Sequence, residues 1–439
     1  MRFMHDKQSI HIFWFRRDLR LHDNAGFYRA LKSGKPVLPL FIFDKVILDK
    51  LDNKDDARVT FIYQLLAEMD QELKQSGSSV LIKNASPKEA WTEILEEYEI
   101  DTVFTNQDYE PYAKQRDAEI TQILANKGSK FCTYKDQVIF DGNEILKTDG
   151  TPYTVFTPYS RKWKEKLNDF YLKAYPIEKY LGNLFKIRLK FPSIQSIGFE
   201  ISTLPIPNKD YKNIIADYAK TRDFPALEGT SRISHHLRFG TISIRELATA
   251  ANQSAEKTWL NELIWRDFYA MVLWHFPQTP DYSYKPDFDR IEWRNNKQEF
   301  QAWCKGETGY PLVDAGMRQL NTIGWMHNRL RMVTASFLSK DLLIDWRWGE
   351  HYFSQKLLDY DMSSNVGGWQ WSAGSGTDAA PFFRIFSPAA QTKRFDPQFE
   401  YIKKWVPEYL DPFKYPAPIV DHQEARERCL AAFKKALNN

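Results

Sequence analysis

The sequence predicts two architectures in one chain: an N-terminal doubly wound parallel α/β domain, then a helical domain, the two joined by a long connector. Three observations predict this α/β plus all-α class. Short apolar runs alternate with helical patterns through residues 1–140. Residues 141–205 are rich in Pro, Lys and aromatics and hold no sustained period. From 206 to 439 the apolar spacing is helical throughout.

Taken in order, "SIHIFWF", "PVLPLFIF", "SVLIKN" and "DTVFTN" are short, apolar and rich in β-branched and aromatic residues, as buried strands are. Between them, "ARVTFIYQLLAEMDQELKQ" and "PKEAWTEILEEYE" repeat apolar residues at helical spacing. Strand–helix alternation of this kind builds a parallel sheet covered on both faces. The connector is long enough to be functional, or to lie against both domains. In the last domain "TWLNELIWRDFYAMVLWHF", "YPLVDAGMRQLN" and "GWMHNRLRMVTASFLSKDLL" each read as a helix.

Composition narrows the class. With 43% hydrophobic and 27% charged residues, the 439-residue chain is globular and large enough for two or three domains. No apolar run reaches bilayer length, and the start, "MRFMHDKQSI", has no apolar leader core. Cys132, Cys304 and Cys429 are far apart, which suits a reducing, intracellular setting. A net charge of +3 means that nucleic-acid binding would need a local basic patch. Eleven of the 14 tryptophans fall from Trp259 onward, so the aromatic chemistry is concentrated in the helical domain.

Several sites are excluded. The first strand runs into "FRRDLRLHDN", without a glycine, so the phosphate turn of a dinucleotide fold is missing. Gly374, Gly376 and Ala379 satisfy a GxGxxA spacing but follow no strand. No metal-ligand spacing occurs, and the side chains of His235 and His236 are expected to diverge on a helix.

Three stretches carry candidate chemistry. In "EGTSRISHHLRFG", Thr230, Ser231 and Ser234 cluster hydroxyls at a helix start, where they would cap the helix or hold phosphate oxygens. In "WLNELIWRDFY", Trp259, Glu262, Arg266 and Tyr269 share a face with Trp265 on its flank, forming a buried Glu–Arg pair or a pocket floor for a polar aromatic ligand. In "GWMHNRLRM", Trp325, Asn328, Arg329 and Met332 share another mixed face. "NVGGWQWSAGSG" then poses a question, because two tryptophans stand beside flexible glycines.

Together with "EGTSRIS", "NELIWRDFY", "TGYPLVDAGMRQL", "DLLIDWRWGEHYF" and "NVGGWQWSAGSGTDAAPFFRIFSP", these segments make the chain resemble the photolyase/cryptochrome flavoproteins, nearest the class I cyclobutane pyrimidine dimer photolyases. The resemblance implies FAD in the helical domain. Tyr218, Thr230, Ser231 and Ser234 match its phosphate and ribityl contacts. Trp259, Arg266, Asn328, Arg331, Asp359 and Asp361 match residues around the flavin, with Arg331 and Asp359 as an ion pair. Asn365 matches the position at flavin N5, and the glycines after it would let the backbone pass close to the ring. Trp369, Trp346 and Trp293 match an electron-transfer chain, and Trp371 a wall of the substrate cavity.

The resemblance further implies that Trp265 is a platform for damaged bases, that Glu262 and Asn328 hydrogen-bond the dimer, and that Met332 touches it. Arg222, Arg329, Arg384 and Gln391 match DNA contacts. The implied reaction is light-driven electron transfer from excited FADH⁻ to a pyrimidine dimer flipped out of ultraviolet-damaged DNA. A monomer is expected, since the lesion face must stay open. A second, antenna chromophore is implied but not identified: Tyr112 and Ala113 replace the amide and acid that hold a folate in some relatives. The rival readings are repair of (6-4) photoproducts, which looks for two histidines where this chain has His327 alone, and a light sensor without repair. Asn365, Met332 and the short segment after the helical domain weigh against the sensor.

Overall fold

In the computed structural model of the protein, residues 8–206 and 208–438 are described; residues 1–7, on which the reading of the N-terminus partly rests, and residues 207 and 439 lie outside it. The chain divides into two units. The first comprises Met1–Asp141, Leu167–Lys209 and Ile233–Ala250. The second comprises Gly142–Lys166, Asp210–Arg232 and Ala251–Asn439.

The first unit is built on strands β1 (Ile10–Phe15), β2 (Val37–Asp44), β3 (Leu81–Ala85), β4 (Ile100–Asn106) and β5 (Lys130–Tyr134). They lie in the order β3-β2-β1-β4-β5, every pair parallel. Helices α1 (Ala25–Leu31), α2 (Ala57–Gln75), α3 (Pro87–Glu97) and α4 (Pro111–Ala125) alternate with the strands. Side chains alternate across a strand, so Phe13, Phe15, Phe41 and Phe43 enter one core while Ile12, Trp14, Leu40 and Ile42 enter the other. Two buried faces explain why these strands read as unbroken apolar runs. The sequence reading missed β5, whose residues are half-buried or exposed and whose lysine-bearing edge gives no apolar run.

The glycine-free turn after β1 has a structural purpose. The first backbone N–H groups of α1 are taken by side chains: Ala25 donates to Asp136, Gly26 to Asn106 and Phe27 to Asn24. No donor there is left for a phosphate. Around them Arg20 pairs with Asp136 at 2.7 Å, and Arg245 with Asp23 and Asp136 at 2.8 Å each. Arg245 thereby ties Ile233–Ala250 to this unit rather than to the helical domain, correcting the expected boundary at 206.

The expected connector, 141–205, is also divided. Its first part forms α5 (Phe156–Lys166), a helix of the second unit that buries Tyr159 and Trp163 one turn apart. The Trp163 indole donates to Asp267 at 2.9 Å. The remainder belongs to the first unit, where Phe185 donates to the Val37 carbonyl on β2.

The elements that carry the expected site residues follow. They are α6 (Tyr218–Thr221), α7 (Ser234–Arg238, in the first unit), α8 (Thr258–His275) and α9 (Asn328–Ser336). Beyond them come α10 (Trp346–Lys356), α11 (Met362–Ala373), α12 (Pro388–Phe395) and α13 (His422–Asn438). On α7 the rings of His235 and His236 do not diverge. Their centroids are 4.1 Å apart, because both pack against Phe61, and His236 also meets the Thr241 hydroxyl at 2.7 Å.

Candidate active site

α11 resolves the glycine–tryptophan segment. Asp361 caps its start, accepting from the Ser364 N–H and the Ser363 hydroxyl, and Gly374 ends it with φ +94. The GxGxxA spacing therefore marks a helix C-cap. Between the tryptophans, Gln370 donates to the carbonyls of Thr279 and Tyr282 and accepts from the Tyr284 N–H, fixing a loop. A Cβ on Gly367 would stand 2.2 Å from the Tyr269 ring, whereas one on Gly368 would meet nothing. The first glycine is thus required by a packed tyrosine, and only the second leaves open space.

Trp369 and Trp346 are buried in one aromatic core, and Trp293 packs half-buried against it. Gly349 lies one turn beyond Trp346 on α10, and a Cβ there would stand 2.1 Å from the Trp369 ring. This close approach brings the Trp369 helix onto the Trp346 helix. Trp303, which the sequence reading did not single out, has its ring 6.0 Å from Trp369. Trp371 is half-buried and tilts toward Phe386 at 6.5 Å.

Asn365 donates to the Glu350 carboxylate at 2.9 Å, and Tyr360 donates to the same oxygen at 3.2 Å. Burial raises the Glu350 carboxyl above its ordinary value, against the pull of these two donors. Glu350 lies within a quoted motif, yet fifteen residues across a helix break hid its partnership with Asn365. Arg331 pairs with Asp359 at 2.8 Å, as expected. The second Asp359 oxygen is buried without a partner, as is the Arg232 Nε.

Of the two readings of the Trp259 face, the structure gives Glu262 a partner other than Arg266. Glu262 instead accepts from Arg222, beyond α6, because the i+4 guanidinium cannot serve an acid aimed at a neighbouring segment. Arg222 also lies over the Tyr218 ring at 5.4 Å and reaches Asp223 at 3.9 Å. Asp223 binds Arg329 at 2.5 Å, and Arg329 touches the Met332 sulfur at 3.9 Å. One chain of contacts thus joins Tyr218, Arg222, Glu262, Arg329 and Met332 through an aspartate that gave no sequence signal. Burial raises the Glu262 carboxyl and Arg222 opposes it, with a net upward shift. Asn328, at the start of α9, is exposed.

Trp265 is backed by Phe156 of α5, the rings stacked 3.7 Å apart at 4°. The supposed connector therefore supplies the ring stacked on Trp265. Trp259 is buried and stacked on Tyr211 at 5.4 Å. Arg266, also on α8, is half-buried. Thr230 and Ser231 lie half-buried before Arg232, which takes φ +49. Ser234 opens α7, whose N-cap position is Ile233 with no side-chain cap, so the capping reading of these hydroxyls fails. Arg384 is exposed, and the Gln391 carbonyl on α12 is buried without a partner. His327 caps α9 by accepting from the Arg329 N–H, and burial together with Arg329 lowers its pKa to about 4. In the first unit, Tyr112 donates to Asp44 at 2.6 Å and Ala113 is buried.

The family profile for DNA photolyase matches residues 11–178, and that for the FAD-binding domain of DNA photolyase matches residues 259–412. A deoxyribodipyrimidine photo-lyase of Alkalihalophilus pseudofirmus is 38% identical, over 98% of this chain and 99% of its own. The structure of a bacterial class III photolyase from Agrobacterium tumefaciens aligns over 100% of both chains, with TM-score 0.86 and 33% identity. An archaeal photolyase from Sulfolobus tokodaii, solved with two FAD molecules, aligns over 97% of this chain and 100% of its own, with TM-score 0.80 and 30% identity. A parallel sheet whose nucleotide turn is closed by side chains, followed by a helical unit of paired acids, arginines and buried tryptophans, thus places this chain in the DNA photolyase family.

Proposed function

We propose that the protein repairs ultraviolet-damaged DNA by light-driven splitting of cyclobutane pyrimidine dimers. The observation that carries this reading is the contact chain Tyr218–Arg222–Glu262 and Asp223–Arg329–Met332, a polar and partly exposed row on the FAD-binding unit.

The donor set fits FAD. The buried, unpartnered oxygen of Asp359 and Nε of Arg232 are polar atoms awaiting a polar ligand. Within the second unit, Arg331, Asp359, Asp361, Arg266, Trp259, Tyr218, Thr230, Ser231, Asn328 and Asn365 are the residues that would hold it. The chemistry supplied by bound, reduced, light-excited FAD is the electron that opens the cyclobutane ring. Asn365 offers an amide rather than a second carboxylate, and Glu350 fixes how that amide is turned. Trp369, Trp346 and Trp293 provide oxidisable indoles from core to half-buried rim. A possible second chromophore in the first unit has no identity assigned by Tyr112 and Asp44, which already satisfy each other.

Glu262, whose carboxylate is held by Arg222, would accept a hydrogen bond from a dimer N–H while Asn328 supplies an amide. Trp265 stacks against the flipped bases with Phe156 behind it. Met332 and Trp371 give apolar walls, and Arg222, Arg329, Arg384 and Gln391 hold the strand. His327, the one histidine of "GWMHNRLRM", is a helix cap that burial keeps neutral, whereas (6-4) repair asks for two histidines near the lesion. The protein acts as a monomer inside the cell.

The test is illumination of photoreduced protein with dimer-containing oligothymidine, following thymine absorbance. Recovery under blue light and none in the dark is expected. A flavin-loaded protein that restores nothing would overturn the reading.

A further inference from the structure

Helix α9 does not end at Ser336. It runs on into a π-turn, Phe337–Asp341, and such turns recur at functional sites. The turn buries two charged residues that no part of the repair chemistry uses: Lys340 is 1% exposed and Asp341 is fully buried. Asp341 is held by α13, accepting from His422 Nδ1 at 2.5 Å on its side chain and from Arg428 at 2.6 Å on its carbonyl. Lys340 faces the other way, and its ammonium donates to the carbonyl of Arg384 at 2.9 Å.

A buried ammonium is costly and is kept only where a specific partner returns that cost. Its partner here is backbone in an exposed stretch, 381–385, that carries Arg384 and Phe383 at the surface. We propose that Lys340 is a positioning residue for lesion binding, anchoring the 381–385 loop so that Arg384 is presented to the DNA strand. The inference rests on the reading of Arg384 as a DNA contact. It also makes α9 serve the site at both ends. Its first turns carry Asn328, Arg331 and Met332, and its π-extension sets the loop that grips the strand.

The anchor is sensitive to pH. Burial lowers the Lys340 pKa to about 8. Among the described residues, Asp341 on the same turn favours the charged form, Arg384 opposes it, and Cys429 on α13 faces it; α10 and α11, also packed on the turn, bring no further charge to it. Cys429 is itself pushed up to about 12 by burial and stays a thiol. As pH rises through about 8 the ammonium becomes an amine, and a charge-assisted hydrogen bond is replaced by a weaker neutral one.

Two readouts test this on the full flavin-loaded protein: dark affinity for dimer-containing DNA, and the rate of tryptic cleavage after Arg384. Lys340→Met should weaken affinity by about tenfold, the size of one lost charge-assisted bond, with flavin content kept. It should also speed cleavage at Arg384, and Lys340→Arg should restore both. Wild-type affinity should fall above pH 8 while that of Lys340→Met stays flat. Unchanged cleavage and affinity in Lys340→Met, or equal loss of flavin and DNA binding, would overturn the proposal. Arg384→Ala separates the two ideas. If it binds DNA as the wild type does, the DNA-contact reading falls, and faster cleavage in Lys340→Met then upholds the anchor alone.

Discussion

Two of the protein's sets of ion pairs, one in each unit, differ in one respect. In the first unit, Arg20, Asp23, Asp136 and Arg245 have side chains 8% exposed or less. In the second, Arg222, Glu262, Asp223 and Arg329 are 17–39% exposed. The first set closes a helix N-terminus and leaves nothing to give away. The second set holds partners that water already reaches and that a ligand can replace at modest cost. Charge density in a motif therefore does not locate a site; the exposure of the pairs does.

The largest effect should come from breaking the buried set. Arg245→Ala leaves Asp23 and Asp136 short of a buried partner and should cost about 3–5 kcal/mol, read by denaturant unfolding of the first unit. If the loss is under about 1 kcal/mol, the buried network behaves like a surface one and the contrast collapses. Next, Gly349→Ala forces the Trp369 ring away from α10. A loss of about 1–3 kcal/mol in thermal stability is expected, together with slower light-driven reduction of the bound flavin. Arg222→Ala should change stability by less than about 1 kcal/mol but weaken binding of dimer-containing DNA by about tenfold.

The smallest effect, and the sharpest, concerns acid. Burial would raise the Asp136 carboxyl, but Arg20 and Arg245 hold it below its ordinary value. Its contribution is thus present above the unfolded carboxylate pKa, about 4, and is lost only as pH falls through the lowered folded value. Glu262 is shifted upward, so it protonates and loosens Arg222 before pH reaches that range. DNA affinity measured against pH should therefore change before the circular dichroism of the fold does. Coincident transitions would mean that the two sets titrate as one.

Most of the fold was legible in the sequence, and the exceptions have physical causes. β1, β2 and β4 announced themselves because nearly all of their residues are buried on both faces; the half-buried edge strand β3 was carried by the apolar start of "SVLIKN", and the other edge, β5, has no such run. α5 was hidden by its lysines, although Tyr159 and Trp163 stand at the spacing of a buried stripe. In the site, residues within one helix could be grouped by periodicity, as with Trp259, Trp265 and Glu262 on α8. Partners from different segments could not: Asp223 on Arg329, Glu350 on Asn365 and Phe156 on Trp265 are tertiary facts with no local signature. The Glu262–Arg266 expectation failed for the same reason, since helical spacing permits a pair without choosing it over a partner elsewhere.

The interlacing of the two units along the chain has a consequence for biosynthesis. A ribosome releases Asp23 and Asp136 more than a hundred residues before Arg245, and releases Phe156 about as far ahead of Trp265. The first unit is complete only at Ala250, after Gly142–Lys166 and Asp210–Arg232 of the second have been made, so the nascent chain begins the second unit before it can finish the first. A fragment cut at residue 140 would carry two buried carboxylates without the guanidinium of Arg245, and the same fragment with residues 167–250 restored would regain it.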